Sequence, residues 1–159
     1  MLSQIALSLF IFFLSIGMGG GLYEVLAVYP NWKKDPTPPN FSQKLKDSGQ
    51  MLAGRRFWPL VSPMTMLLAV LNVFVARQAT DLLRTVWLAA AIAVIVKSIA
   101  TYTYFVPTMM GKLMKSETMK PDVLVRTVNR WTTLSPLRLI LELFAWITAV
   151  WAWSLLGRA

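Results

Sequence analysis

Four ionisable side chains stand inside otherwise apolar stretches: Glu24, Lys97, Arg138 and Glu142. A charge near the centre of a bilayer costs roughly 2.5 kcal/mol or more on insertion, so a retained one is ordinarily paired, hydrated or used. Two carboxylates and two cations sum to zero, which suits mutual compensation. Brought to the same depth by separate helices, they suggest a polar pocket inside an apolar bundle, a default ligand site. Arg138 and Glu142 are four residues apart, which places them on one helix face and allows an intrahelical ion pair. Lys97 and Thr101 share that spacing and Tyr104 follows, a polar stripe that also fits an interhelical hydrogen-bond seam. Glu24 lies near the end of its apolar run, where water could reach it.

Other chemistries are excluded by composition. The chain has no Cys and no His, which removes disulfides, thiol redox chemistry, Cys/His zinc sites, His-ligated haem and His-activated nucleophiles. Any chemistry must use carboxylates, Lys, Arg, Tyr, hydroxyls or an imported cofactor. Hydrophobic residues make up 56% of the 159 positions and charged ones 14%, where a soluble domain carries about 25% charged residues. With a mean hydropathy of +0.55, these figures point to a membrane protein rather than a soluble enzyme or a disordered chain. The net charge of +9 then reads as basic loops beside anionic headgroups, not as a nucleic-acid surface.

The elements that must carry these residues are four apolar runs, at about 5–28, 57–76, 85–106 and 136–156. Each is long enough for a helix crossing a hydrocarbon core of about 30 Å. No Lys or Arg precedes the first run and apolar residues continue past Gly17–Gly21, so it reads as a retained span rather than a cleaved leader. Pro107 is expected to end the third helix and Gly157 the fourth. The expected fold class is all-α: an integral membrane four-helix bundle, one four-span domain over 1–159, with two long basic loops on one side. Ser42–Gln50 could form a short interfacial helix, and Pro121–Trp131 an amphipathic one with Leu124 and Val128 on one side.

The long loops carry eleven cations between Lys33 and Arg130, whereas the terminal side has Arg77, Arg84 and Arg158. The positive-inside bias places the loops in the cytoplasm and both termini outside. Most tryptophans, including Trp32, Trp87 and Trp153, are expected as aromatic-belt anchors. Trp58 and Trp131 could instead stack on an aromatic ligand. Glycines 17, 19, 20 and 21 suit close helix approach or room for a flat ligand. Met109, Met110, Met114 and Met119 fit adaptable packing.

Three stretches have a familiar order. Gly20-Gly21-Leu22-Tyr23-Glu24 leads to Pro30-Asn31-Trp32; Val106-Pro107 runs into Thr108-Met109-Met110-Gly111-Lys112-Leu113; and Arg130-Trp131 precedes Arg138. In these motifs, in length and in span count, the chain resembles the small four-helix membrane proteins grouped with fungal anthrone oxygenases, many of them bacterial. It departs from that pattern at Met109, where an asparagine is common, and between Trp131 and Arg138, where Thr132, Thr133 and Ser135 stand.

The resemblance implies cofactor-independent mono-oxygenation in a bacterial inner membrane. A base removes a proton from the methylene beside the anthrone carbonyl, the enolate reacts with O₂, and loss of water leaves the quinone. Glu24 or Glu142 would be the base. Arg138 and Lys97 would stabilise the enolate, and Tyr104, Thr101, Trp58, Trp131 and Asn31 would contact the ligand. Two other readings stand beside this one. The first is a non-catalytic membrane subunit or lipid- or quinone-binding module, as a homo-oligomer or within a larger complex. The second is an oligomeric transporter or channel lined by Lys97.

Overall fold

The computed structural model describes residues 2–157. Arg158 and the Met109 side chain, both used above, lie outside the described residues. Among the described residues the chain is helices joined by short turns, without strands. Four helices are long and apolar enough to cross a membrane: α1 (Leu2–Lys33), α3 (Gln50–Ala76), α4 (Asp81–Leu113) and α5 (Pro121–Leu156). A short helix, α2 (Pro38–Asp47), precedes α3.

All four long helices extend past their apolar runs. α1 continues through Pro30 to Lys33, and α4 passes through Pro107 to Leu113. Pro107 therefore does not end its helix. The reason is local: Glu24–Val28 and Thr101–Met110 are wound as π-helix. These wider turns shift the hydrogen-bond register, so the carbonyl that a proline cannot serve finds another donor and the ring clash eases. α5 runs unbroken through Pro136, so the amphipathic Pro121–Trp131 stretch and the fourth apolar run form one helix of 36 residues. What hydropathy marks as long loops is mostly helix. Prolines appear where a helix start tolerates them, at the first turns of α2 and α5. Gly49, with φ of 69°, makes the left-handed turn between α2 and α3, a conformation open to glycine at little cost.

Each long helix packs against two others, in the cyclic order α1, α3, α4, α5. Toward the termini the interior is Leu7, Phe10, Leu14, Ala69, Trp87, Ala90, Val94, Ala145, Ala149 and Ala152. The alanines let backbones approach closely. The buried Asn72 within it is fully satisfied: it accepts from the Trp87 indole at 2.8 Å and donates to the Leu68 and Ala6 carbonyls. Trp87 is thus a core residue, not a belt anchor. Trp32 is also buried, in a second cluster at the opposite end with Phe41, Leu45, Leu113, Leu124 and Val128. There α2 lies over the helix ends, tied by Ser42 donating to Glu117 at 2.6 Å and by the Lys46–Glu117 pair at 2.7 Å. Large apolar side chains such as Leu67, Phe74, Ile92, Ile140 and Ile147 are exposed around the outside, a surface suited to lipid.

Candidate functional site

Between the two buried clusters lies a cavity of about 350 Å³, bordered by α1, α3, α4 and α5. All four charges that the sequence sets within apolar runs line it: Glu24, Lys97, Arg138 and Glu142. So do Thr101, Trp58 and Trp131.

The charges do not pair by helical spacing. Lys97 Nζ reaches across from α4 to Glu142 Oε1 on α5 at 2.7 Å, with both side chains nearly buried. Arg138 and Glu142 make no ion pair. Gly17 makes the Glu142 position available, because a Cβ there would stand 2.5 Å from Oε1. Close approach of a backbone, not ligand space, is therefore the role of that glycine. Gly20 plays the same part against Phe57, whereas Gly21 borders the cavity.

Glu24 is held by two neutral donors. The Trp58 indole donates to Oε1 at 2.6 Å and the Tyr29 hydroxyl to Oε2 at 2.9 Å. Tyr29 is a site residue the sequence reading missed. It stands five positions after Glu24, a spacing that points away from the carboxylate in an α-helix. The intervening π turn, whose Tyr29 amide bonds the Glu24 carbonyl, brings the two onto one face. A proline directly after Tyr29 in an apolar run was the available signal that the helix is not regular there. The Tyr29 hydroxyl also adjoins Ser135 and Arg138, so a polar chain runs from Trp58 through Glu24 and Tyr29 to Arg138.

Arg138 has no carboxylate within ion-pair distance among the described residues. Its Nη2 donates to Ser135 at 2.9 Å. Its guanidinium lies over the rings of Phe105 and Trp131, at 4.4 and 4.9 Å from their centroids, which favours the cation without neutralising it. Arg138 Nε and the Trp131 indole N–H are both inaccessible and have no hydrogen-bond partner in the protein. Buried donors are rarely left so.

Two expected contacts fall elsewhere. Asn31 is exposed and donates to the Ala27 carbonyl of its own helix. Tyr104 does not border the cavity; it stacks edge-on against Phe105 and under Arg130. With α4 in π form, its side chain is rotated off the Lys97–Thr101 stripe. Thr101 borders the cavity but donates its hydroxyl to the Lys97 carbonyl. Sequence reasoning also missed Ser62, Ser98 and Tyr102, which line the cavity. Among the described residues no cluster of carboxylates suits a metal ion. Chemically, the arrangement offers an anchored carboxylate and an unneutralised guanidinium facing a largely apolar, tryptophan-walled space. The chain matches no family model, no curated protein and no solved structure.

Proposed function

We propose that this chain is a membrane-embedded, cofactor-independent oxygenase-like enzyme acting on a flat hydroxyaromatic substrate of the anthrone or quinol type. The observation that carries this reading is that Glu24 and Arg138 line one cavity walled by Trp58 and Trp131. Glu24 is the base in preference to Glu142, because Glu142 is committed to Lys97 at 2.7 Å. Trp58 and Tyr29 fix the Glu24 carboxylate while each oxygen keeps a lone pair for the substrate methylene. The Arg138 guanidinium, which lines the cavity and has no carboxylate partner among the described residues, stabilises the carbonyl oxygen as it becomes the enolate oxyanion. The electron-rich enolate carbon then bonds to O₂. The hydroperoxide so formed loses water across its C–H and O–O bonds, giving the quinone, with one oxygen atom in product and one in water.

The finer architecture belongs to the same proposal. The four long helices form an integral bundle in a bacterial inner membrane, with the α2 end cytoplasmic and both termini outside, as the basic residues near α2 favour. The ion pair deep in the interior lets Lys97 and Glu142 cross lipid as one neutral unit.

The test is oxygen uptake by purified protein in liposomes supplied with anthrone. Uptake should exceed that of protein-free liposomes, and Glu24→Gln should lower it by about 10²–10⁴-fold, the usual worth of a general base. No acceleration across a panel of hydroxyaromatics rejects the catalytic reading. A second reading, a quinone-binding module without catalysis, is favoured by the fact that both carboxylates already have protein partners. It expects the same ligands to bind without oxygen uptake.

A further inference from the structure

The residues around the cavity differ in one respect that shows where it opens. Those contributed by α1 and α5 are half-buried or buried, whereas Pro59 and Pro63 on α3 and Tyr102 and Val106 on α4 line the cavity and are also exposed on the outside. Pro59 and Pro63 are one helical turn apart, as are Tyr102 and Val106, so each pair forms one side of a mouth between α3 and α4. Ser62, between the two prolines on α3, also lines the cavity. The neighbouring outer surface is apolar: Leu60, Leu67 and Ile99 are exposed by 64, 63 and 50%. The opposite route, toward α2, is stoppered by Trp32, Leu45 and Leu113, and the space left there is only about 20 Å³. That volume suits a single water and not a ring.

We infer that the cavity is filled sideways from the hydrocarbon, through the mouth between α3 and α4, and that its ligand is a bilayer-dissolved, uncharged, flat aromatic molecule. The inference deepens the functional reading by naming the substrate's phase and route, and it rests on the cavity being a ligand site, not on turnover. Tyr102 is the bulkiest of the four side chains at the mouth and narrows it. The helix irregularities stand at this mouth, with two prolines in α3 and the π-wound segment in α4. A proline leaves a backbone carbonyl without its usual donor, so these are the points where the helices bend at least cost.

A natural absence of cysteine makes the route testable without the native ligand. Ser98 is 3% exposed and borders the cavity, so Ser98→Cys places a near-isosteric thiol inside. In liposomes, pyrenyl maleimide dissolved in the bilayer should label it faster than a charged, water-soluble thiol reagent. Adding Ser62→Phe with Val106→Phe should slow pyrenyl labelling severalfold, while Tyr102→Ala should speed it. Opposite effects at one mouth cannot both come from loss of fold. No labelling by the pyrene reagent, indifference to both changes, or faster labelling by the charged reagent would overturn the lateral route. If labelling follows the mouth variants while anthrone elicits no oxygen uptake, the catalytic reading falls and the route stands.

Discussion

Toward the termini the four long helices close on alanines, and toward α2 they close around a cavity. In the terminal half, Ala69, Ala90, Ala145, Ala149 and Ala152 have no exposure, and the buried Asn72 has every donor and its carbonyl oxygen engaged. In the other half, α1 and α4 wind into π turns, α3 and α5 carry Pro63 and Pro136 within their helices, and three buried side-chain polar groups, on Thr37, Trp131 and Arg138, have no partner among the described residues. Departures from regular helix and from full hydrogen bonding gather in one region, which is where functional sites tend to keep them. The terminal half is closed by packing, and the cavity half holds groups that the chain itself leaves without partners.

The largest effects expected from substitution set these halves against each other. Lys97→Met should destabilise the protein by about 3–5 kcal/mol, because Glu142 is left buried and unpaired. Adding Glu142→Leu should restore most of that loss, since the neutral pair needs no partner; thermal unfolding in detergent measures both. In the terminal half, Phe10→Ala should cost a similar ~3–5 kcal/mol by opening a void in a close-packed core. Leu139→Ala, which borders the existing cavity, should cost distinctly less. Equal losses at Phe10 and Leu139 would erase the distinction between the halves.

Smaller effects sharpen it. Gly17→Ala forces a methyl group against the Glu142 carboxylate and should cost about 1–3 kcal/mol. Gly19→Ala, with nothing within 4 Å of its Cβ, should instead stabilise α1 by roughly 0.5–1 kcal/mol. The paired melting temperatures should move in opposite directions.

The smallest effect lies at the exposed Glu117, where hydrogen bonds from Lys46 and Ser42 hold the carboxyl below its ordinary value. A lowered folded pKa adds stability above the unfolded value that is lost as pH falls through the folded one. Glu117→Gln should therefore remove a slight acid-side decline in melting temperature and leave the cavity unaffected.

How far the site could be read from sequence follows from what each signal measures. Charges in apolar runs marked Glu24, Lys97, Arg138 and Glu142, and all four border the cavity. Their pairing was not legible, because the spacing of Arg138 and Glu142 speaks only of one helix, while packing of α4 against α5 gives Glu142 to Lys97. Tyr29 was hidden, and Tyr104 misplaced, by assuming an α-helical period where the backbone is π-wound. Hydropathy located four spans but cut each short, since it registers lipid-facing residues and not the amphipathic turns beyond. Trp87 looked like a boundary residue by position; only its Asn72 partner, on another helix, makes it interior.

The most direct measurement is a density map of the protein in lipid nanodiscs equilibrated with anthrone. A ring held between Trp58 and Trp131, its carbonyl oxygen within hydrogen-bond distance of Arg138 and its methylene facing Glu24, is the predicted result. A cavity filled by an acyl chain at saturating anthrone, or a ring lodged elsewhere on the helices, would contradict it.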